Sequence, residues 1–186
     1  MALYTRRGDG GETDLGDGRR AAKDDGRVEV YGTLDELSAC LGLARALARP
    51  VGGEGEGEGE DEGELSARLL RIERQLSALA GWFACPGQPF HEATLDDQAT
   101  GLLEREIDEA SALTGPLRAF VMPGQSPLEA ALHLARTVCR RAERRAVSLA
   151  RQEEVDARAL AFLNRLSDWL FAEARRVAET PVTGAR

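Results

Sequence analysis

Three arginines and one glutamate fall on one side of a helical stretch near residue 140. Their spacings of four and three residues place them on a single stripe of a 3.6-residue helix, formed by Arg136, Arg140, Glu143 and Arg144. Like charges stacked in this way repel one another, so a bound anion would stabilise them. Phosphate fits best, because a guanidinium group can bond two of its oxygens at once. A solvated cationic face remains the alternative interpretation, since arginine is mostly exposed in proteins.

The helix that carries this arginine stripe is predicted over residues 126–151. Ser126, Pro127 and Glu129 supply an N-cap hydroxyl, a proline for the first helical position and a capping-box carboxylate. We therefore expect the helix to begin at Pro127. Its other side is apolar at helical spacing and should be buried; this side consists of Leu128, Ala131, Leu132, Ala135, Val138, Cys139, Ala142, Ala146 and Leu149. Glu129 and His133 could bind a metal, but without a second Glu-x-x-His motif a di-iron bundle is not expected.

The N-terminal residues 3–24 are rich in glycine, aspartate and arginine and lack apolar periodicity. Their glycines would let backbone N–H groups converge on an anion, and their five basic side chains would add positive charge. The segment lacks the Gly-Lys-Ser/Thr ending of a Walker A loop. A phosphate-binding loop and a disordered tail are both open interpretations of this composition.

Apolar periodicity predicts four further helices. They cover residues 27–48, about 64–84, a stretch through Leu113 that Thr94 and Asp97 would cap, and about 154–178. The last helix also carries a mixed stripe that suits a ligand edge or a subunit contact, formed by Asn164, Asp168, Phe171 and Arg175. With five helices, no convincing strand and short connections, we predict an all-α, five-helix antiparallel bundle that forms a single domain over residues 1–186.

The formal charge of −8 is concentrated in one acidic segment of the 186-residue chain. Residues 51–64 hold seven acidic side chains and no basic one, which leaves −1 for the rest. This Gly/Glu composition predicts a disordered linker. The remainder of the chain is nearly neutral, which argues against nucleic-acid binding. There is no run of apolar residues long enough to span a membrane. Three scattered cysteines are typical of buried thiols in a reducing compartment, so we expect a cytoplasmic protein.

Several motifs together resemble the PduO-type ATP:cob(I)alamin adenosyltransferases. In chain order they are YTRRGDGGETDL, KDDGRVEVYGTLDEL, FVMPG, ARTVCRRAER and LNRLSDWLF, within roughly residues 3–48 and 117–176. The resemblance implies a cobalamin adenosyltransferase-like bundle that assembles as a homotrimer and binds ATP and the corrinoid between subunits. The implied enzyme transfers the 5′-deoxyadenosyl group of ATP to cob(I)alamin, assisted by Mg²⁺, and forms adenosylcobalamin and triphosphate.

The resemblance also implies roles for individual residues. Asp35 and Arg136 are similar to a pair that meets across the subunit interface at the active site, where Arg140 also acts. Phe120 and Phe171 match aromatic residues beside the corrinoid, and Phe120 would displace the lower ligand of cobalt. The implied ATP-binding residues are Thr5, Arg6, Arg7, Gly8, Thr13, Asp14, Lys23, Arg140, Arg141, Glu143, Arg144 and Asn164. No protein side chain is assigned as a ligand of the metal.

Three positions depart from the pattern of this family. Gln125 follows Gly124 where a second glycine is common, Ser38 replaces an asparagine, and Gly10 stands where lysine is frequent. Two other classes of function also remain open. One is a non-catalytic protein that binds the nucleotide or the corrinoid as a chaperone or sensor, and the other is a structural bundle whose arginines form intersubunit ion pairs.

Overall fold

The computed structural model describes residues 4, 6–48, 60–91 and 94–179. Within them the chain forms five helices, which confirms the predicted all-α class. The helices are α1 (Gly26–Leu47), α2 (Glu60–Ala84), α3 (Ala99–Thr114), α4 (Pro127–Leu149) and α5 (Ala157–Glu179). Because α2 already begins at Glu60, residues 60–64, which the sequence analysis counted with the acidic linker, are helical. The remainder of that linker, residues 51–59, lies outside the described residues.

A small hairpin precedes the helices, where the sequence analysis found no strand. Strands β1 (Glu12–Asp14) and β2 (Arg20–Ala22) pair antiparallel, with Thr13 opposite Ala21. Gly18, at φ +86°, allows the tight turn between the strands. Three-residue strands made of mainly polar residues show no alternation of apolar side chains, so periodicity could not reveal them.

Local capping explains where α4 begins, but α3 begins without a side-chain cap. Ser126 Oγ accepts a hydrogen bond from the backbone N–H of Glu129 (3.1 Å), and α4 begins at Pro127 as predicted. Thr94 and Asp97, however, do not cap α3. Asp96 accepts a hydrogen bond from Gln98 N (2.7 Å) in a separate turn, and α3 begins only at Ala99.

Successive helices run antiparallel, but not every successive pair packs side by side. Helix α1 packs against α2 and α4, α4 packs against α5, and α5 packs against α3. Helices α3 and α5 are therefore parallel neighbours. Arg165 bonds Glu104 (3.1 Å) and Arg175 bonds the Thr114 carbonyl (3.0 Å), so contacts advance along both helices in the same direction.

One core joins all five helices. The apolar side of α4 is buried as predicted, except for the partly buried Leu128. Trp169, Phe83 and Phe162 are the largest side chains that are fully buried. None of the helices in the described part of the chain is apolar over enough residues to cross a membrane.

Candidate active site

Two open pockets lie along the groove between α4 and α5. Pocket A has a volume of about 420 Å³ and is lined by Arg140, Glu143, Arg144, Val147, Ser148, Arg151 and Asn164. Pocket B has a volume of about 240 Å³ and is lined by Ile107, Ser111, Arg136, Arg140, Ser167, Asp168, Phe171, Ala172 and Arg175. Arg140 lines both pockets, so ligands bound in the two would meet at its guanidinium group.

Pocket A brings together much of the arginine stripe predicted from the sequence. Arg140, Glu143 and Arg144 lie beside Asn164, whose carboxamide donates a hydrogen bond to Glu143 Oε1 over 2.8 Å. Neither Arg140 nor Arg144 forms an ion pair with any described residue. Their charge is therefore available to an anion, and guanidinium groups favour phosphate oxygens.

Arg151 adds a third cation to pocket A, and the sequence analysis did not single it out. It follows Arg144 by seven residues, a spacing of about two helical turns that keeps both side chains in line. This spacing could have predicted that Arg151 lies near Arg144, although Arg151 lies just beyond the end of α4.

Arg141 lies apart from the other arginines to which ATP binding was assigned. One residue turns the helix by about 100°, so Arg141 leaves the side of Arg140 and faces α1. There it forms an ion pair with Glu36. Arg145 faces the same way and donates a hydrogen bond to Thr33 Oγ1 over 2.9 Å. The structure therefore places Arg141 in the contact between α1 and α4, outside both pockets.

Pocket B combines cations with an aromatic wall. The Arg136 guanidinium lies over the Phe171 ring, 5.9 Å from its centroid, and Arg136 Nε donates to His133 Nδ1 over 3.3 Å. Arg175 donates to the carbonyl oxygens of Thr114 and Gly115, both over 3.0 Å. Such a surface suits a flat apolar ligand with polar substituents at its edge.

Pocket B does not include Phe120 or Asp35 of the same chain. The resemblance assigned Phe120 to the corrinoid and Asp35 to the subunit interface. Phe120 lies on the connection between α3 and α4 and is fully exposed. Asp35 is exposed on α1, and no ion pair joins it to Arg136 or to another described residue. Phe120 and Asp35 are thus both open to a second molecule.

The N-terminal hairpin holds a separate group of charged side chains. Asp14 accepts hydrogen bonds from Arg7 (3.2 Å) and Arg20 (3.1 Å). Arg6 adopts a φ of +59°, and its guanidinium lies 5.6 Å from the centre of the Tyr4 ring. Thr5 lies outside the described residues. Arg6, Arg7 and Asp14 therefore lie in one charged segment, and their role in ATP binding stays a prediction.

Gly8 allows a basic side chain to approach the backbone of this segment. A Cβ atom at Gly8 would lie 3.2 Å from the Glu12 carbonyl oxygen and 3.4 Å from Lys23 Nζ. Lys23 also donates its backbone N–H to the Gly11 carbonyl over 2.8 Å. A side chain at position 8 would therefore crowd the Glu12 carbonyl oxygen, whereas Lys23 Nζ would be at ordinary contact distance.

The hairpin is attached to the bundle but lines neither pocket. In its turn, the backbone N–H of Gly16 donates a hydrogen bond to the Ala84 carbonyl oxygen (2.8 Å). Arg19 donates one to the Pro86 carbonyl oxygen (3.1 Å), just after the end of α2. Thr13 is half-buried on β1. Burial and the charge of Asp25 raise the pKa of Tyr31 on α1. A hydrogen bond from the Thr13 side chain partly offsets this rise. The structure thus separates Thr13, Gly8 and Lys23 from Arg140 and Asn164.

In the described part of the chain, no side chain offers an obvious nucleophile and no cluster of side chains forms a metal cage. The described residues contain no group of three His, Cys, Asp or Glu side chains that could hold a metal ion. All three cysteines are free thiols, and burial raises the pKa of Cys139 far above its usual range. The arrangement is therefore suited to binding and orienting charged ligands.

Fold and pockets together define a class: a five-helix bundle with a basic pocket for an anion next to a pocket with an aromatic wall. The cobalamin adenosyltransferase family model matches residues 3–177. The corrinoid adenosyltransferase of Bacillus subtilis (strain 168) is 42% identical over 178 residues, covering 95% of this chain and 86% of that protein. Corrinoid adenosyltransferase MMAB of Mus musculus is 39% identical, with coverages of 95% and 72%. The chain belongs to the cobalamin adenosyltransferase family.

Solved structures agree with this assignment. A variant of a PduO-type ATP:corrinoid adenosyltransferase from Lactobacillus reuteri, complexed with cobalamin and ATP, has a TM-score of 0.81 at 33% identity and covers 95% of this chain and 93% of that one. Another variant from the same organism, complexed with ATP, has a TM-score of 0.80 at 34% identity, with coverages of 95% and 94%. The similarity thus extends over nearly the whole fold.

Proposed function

We propose that this protein transfers the 5′-deoxyadenosyl group of ATP to cob(I)alamin and releases triphosphate. The observation that carries the proposal is pocket A, where Arg140 and Arg144 face an open volume without an ion-pair partner among the described residues. Membership of the cobalamin adenosyltransferase family supplies the class of reaction. The solved relative complexed with cobalamin and ATP supports both substrates.

The reaction needs alignment and charge stabilisation more than proton transfer. The electron pair of Co(I) forms the bond to C5′ of ATP while the bond from C5′ to the triphosphate oxygen breaks. Negative charge then accumulates on the leaving triphosphate, and Arg140 and Arg144 would stabilise it more strongly than in the ground state. The contact from Asn164 would orient Glu143 beside these cations. The chain therefore requires no general base.

Pocket B would receive the corrinoid next to the reacting C5′ atom. Phe171 offers a flat wall, and Arg140 borders both pockets. Phe120 is fully exposed and lies outside pocket B of its own chain. From there it would reach the lower face of a corrinoid bound between two subunits and displace the lower cobalt ligand. Cobalt without that ligand is easier to reduce to Co(I), so Phe120 would favour formation of the nucleophile.

A homotrimer with active sites between subunits would explain why, within one chain, the hairpin and Asp35 lie away from the pockets to which the resemblance assigns them. The hairpin with Arg6, Arg7, Gly8, Thr13, Asp14 and Lys23 would wrap the triphosphate held by the neighbouring subunit's pocket A, together with Thr5. Asp35 would pair with Arg136 of the neighbouring subunit. Arg141, which pairs with Glu36, would support the position of α4 and contribute to ATP binding only indirectly.

Mg²⁺ fits the donor set of pocket A without a dedicated protein cage. Mg²⁺ usually binds substrate phosphates, water and one or two carboxylates, and Glu143 is the only carboxylate among the described residues that line this pocket. When bound there, Mg²⁺ would neutralise charge on the triphosphate. The three free thiols suit a reducing compartment, and we propose a cytoplasmic location.

The test is a spectral assay that mixes the protein with ATP, Mg²⁺ and chemically generated cob(I)alamin under anaerobic conditions. We expect the spectrum of adenosylcobalamin and one triphosphate for each molecule formed. Tight binding of both substrates without triphosphate release would contradict this function and favour a non-catalytic chaperone or sensor. A purely structural bundle would bind neither, and ATP would not protect residues 3–24 from proteolysis.

A further inference from the structure

A buried carboxylate holds the end of the loop that carries Phe120. The Glu129 side chain is completely buried at the start of α4, and its Oε2 accepts hydrogen bonds from the backbone N–H groups of Gly124 (2.8 Å) and Gln125 (3.1 Å). Gly124 has a φ of +114°, a conformation that favours glycine. The last residues of the loop are thus fixed in one conformation by α4 itself.

The same carboxylate lies against a buried histidine one helical turn further on. Glu129 Oε1 is 3.1 Å from His133 Nε2, and no other polar atom of the described residues bonds either one. The two atoms are close, but their alignment is poorer than that of a regular hydrogen bond. Each is nevertheless the only polar partner of the other in a buried place, where an unpaired polar group is costly.

His133 in turn contacts the arginine of pocket B. His133 Nδ1 accepts a hydrogen bond from Arg136 Nε over 3.3 Å, and the His133 ring lies 5.9 Å from the Phe171 ring. An Nδ1 that accepts requires a neutral imidazole with its proton on Nε2, facing Glu129. Burial lowers the pKa of His133, and the positive charge of Arg136 acts in the same direction against the opposing effect of Glu129, so the neutral form prevails at pH 7.

The start of the loop is attached to pocket B as well. Arg175 lines this pocket and donates two hydrogen bonds to the carbonyl groups of Thr114 and Gly115, where the loop leaves α3. One end of the loop is therefore bonded to a side chain that lines pocket B and the other to the buried Glu129, while Phe120 in its middle is fully exposed.

We propose that Glu129 and His133 are positioning residues that couple the Phe120 loop to the guanidinium group of Arg136. Glu129 fixes the end of the loop and the tautomer of His133, and His133 then fixes Arg136 against Phe171. The proposal rests on the proposed function, because the geometry it protects is that of the corrinoid side of the site. A merely structural pair would stabilise α4 but would leave Arg136 unaffected.

Three substitutions distinguish the contact between Glu129 and His133 from the contact between His133 and Arg136. Glu129→Gln can keep the loop bonds through Oε1, but its amide would donate to His133 Nε2 and drive the proton to Nδ1, where it would repel Arg136 N–H. His133→Asn keeps an acceptor near the position of Nδ1 and loses the link to Glu129. His133→Gln keeps the reach to Glu129 and loses the acceptor for Arg136.

At saturating ATP we expect Glu129→Gln and His133→Gln to lower kcat about tenfold, as for the loss of one oriented hydrogen bond, with KM for ATP unchanged. We expect His133→Asn to keep a kcat close to that of the wild-type protein. Equal kcat values in His133→Asn and His133→Gln would overturn the proposal. Thermal unfolding of each variant checks that it is folded at the assay temperature.

A second measurement does not depend on activity. The chain has two histidines, so ¹⁵N-histidine NMR yields few signals, and His91→Gln assigns them. We expect the Nε2–H tautomer for His133 in the wild-type protein and the Nδ1–H tautomer in Glu129→Gln. An Nδ1–H tautomer in the wild-type protein would overturn the proposal even if the enzyme is active. An inactive wild-type protein with the expected tautomers would instead contradict the proposed function.

Discussion

The carboxamide of Asn164 on α5 donates a hydrogen bond to Glu143 on α4 over 2.8 Å. This contact joins the two helices that line pocket A, and it leaves the nearby guanidinium groups of Arg140 and Arg144 without a carboxylate partner among the described residues. Asn164 therefore engages the one acidic side chain that lines the pocket in the part of the chain that the structure describes.

Replacing Asn164 should weaken ATP binding because Glu143 would be free to turn towards the arginines. We expect Asn164→Ala to raise the Kd for ATP about tenfold, as for one lost hydrogen bond. Asn164→Asp should raise it further, since two carboxylates would then repel each other. Isothermal titration calorimetry measures both, with Thr137→Ala, an exposed position on α4, as control. An unchanged Kd in Asn164→Asp would refute the role of this contact.

Two inactive variants should complement each other if the active site lies between subunits. Asp35→Ala and Arg136→Ala each remove one side of the proposed pair. In randomly mixed trimers about a quarter of the interfaces would keep both wild-type partners, given head-to-tail contacts. We therefore expect activity to return after the two variants are unfolded and refolded together. Mixed trimers, verified by mass spectrometry, that stay as inactive as either variant would argue for a site within one subunit.

The stability of the protein should fall on mild acidification because of His133. Burial lowers the pKa of His133 below its ordinary value of 6.5, so the unfolded chain binds a proton more readily than the folded one. The free energy of unfolding should decrease as the pH falls below about 6.5. Glu129 and Arg136 are the charged groups that face the ring, and Phe171 packs on it from α5.

The measurement is urea unfolding from pH 7.5 down to pH 5 at a fixed protein concentration. His133→Asn should lack this part of the pH dependence, whereas His91→Asn, at an exposed position, should retain it. The same slope in His133→Asn and in the wild-type protein would show that other groups are responsible.

Glu106 should be a sensitive polar position between α2, α3 and α5. Its Oε2 accepts hydrogen bonds from Trp169 Nε1 and from Arg71, both over 2.7 Å. Glu106→Ala would leave the buried indole N–H and a guanidinium without this partner, at a cost of about 3 kcal/mol in the free energy of unfolding. Chemical denaturation measures the loss, and Glu109→Ala, at an exposed site on the same helix, serves as control. A loss as small as that of the control would contradict this role.

The fold was largely predictable because its signals are local. The apolar side of α4 and the Ser126 cap depend only on spacing within one helix, and both predictions are confirmed. The prediction that Thr94 and Asp97 cap α3 was wrong, because a turn around Asp96 uses the same stretch of backbone. The hairpin escaped detection because its strands are short and mainly polar.

The candidate site was predictable where side chains share one stripe of one helix. Spacing placed Arg140 and Arg144 together. Arg141 was assigned to ATP binding through the family resemblance, and the helical rotation turns it towards α1. Glu129 and His133 were visible as a pair, yet their link to the loop depends on burial and on backbone N–H groups that no pattern of side chains reveals.

The central claim is that the arginines of pocket A stabilise triphosphate as the adenosyl group leaves. The most direct test is the single-turnover rate of adenosylcobalamin formation by Arg140→Ala, compared with Arg105→Ala, an exposed arginine on α3. We predict that Arg140→Ala lowers the rate by about 10²–10³-fold while the bundle stays folded by circular dichroism. Arg105→Ala should react like the wild-type protein. An Arg140→Ala variant that is as fast as Arg105→Ala would contradict the account.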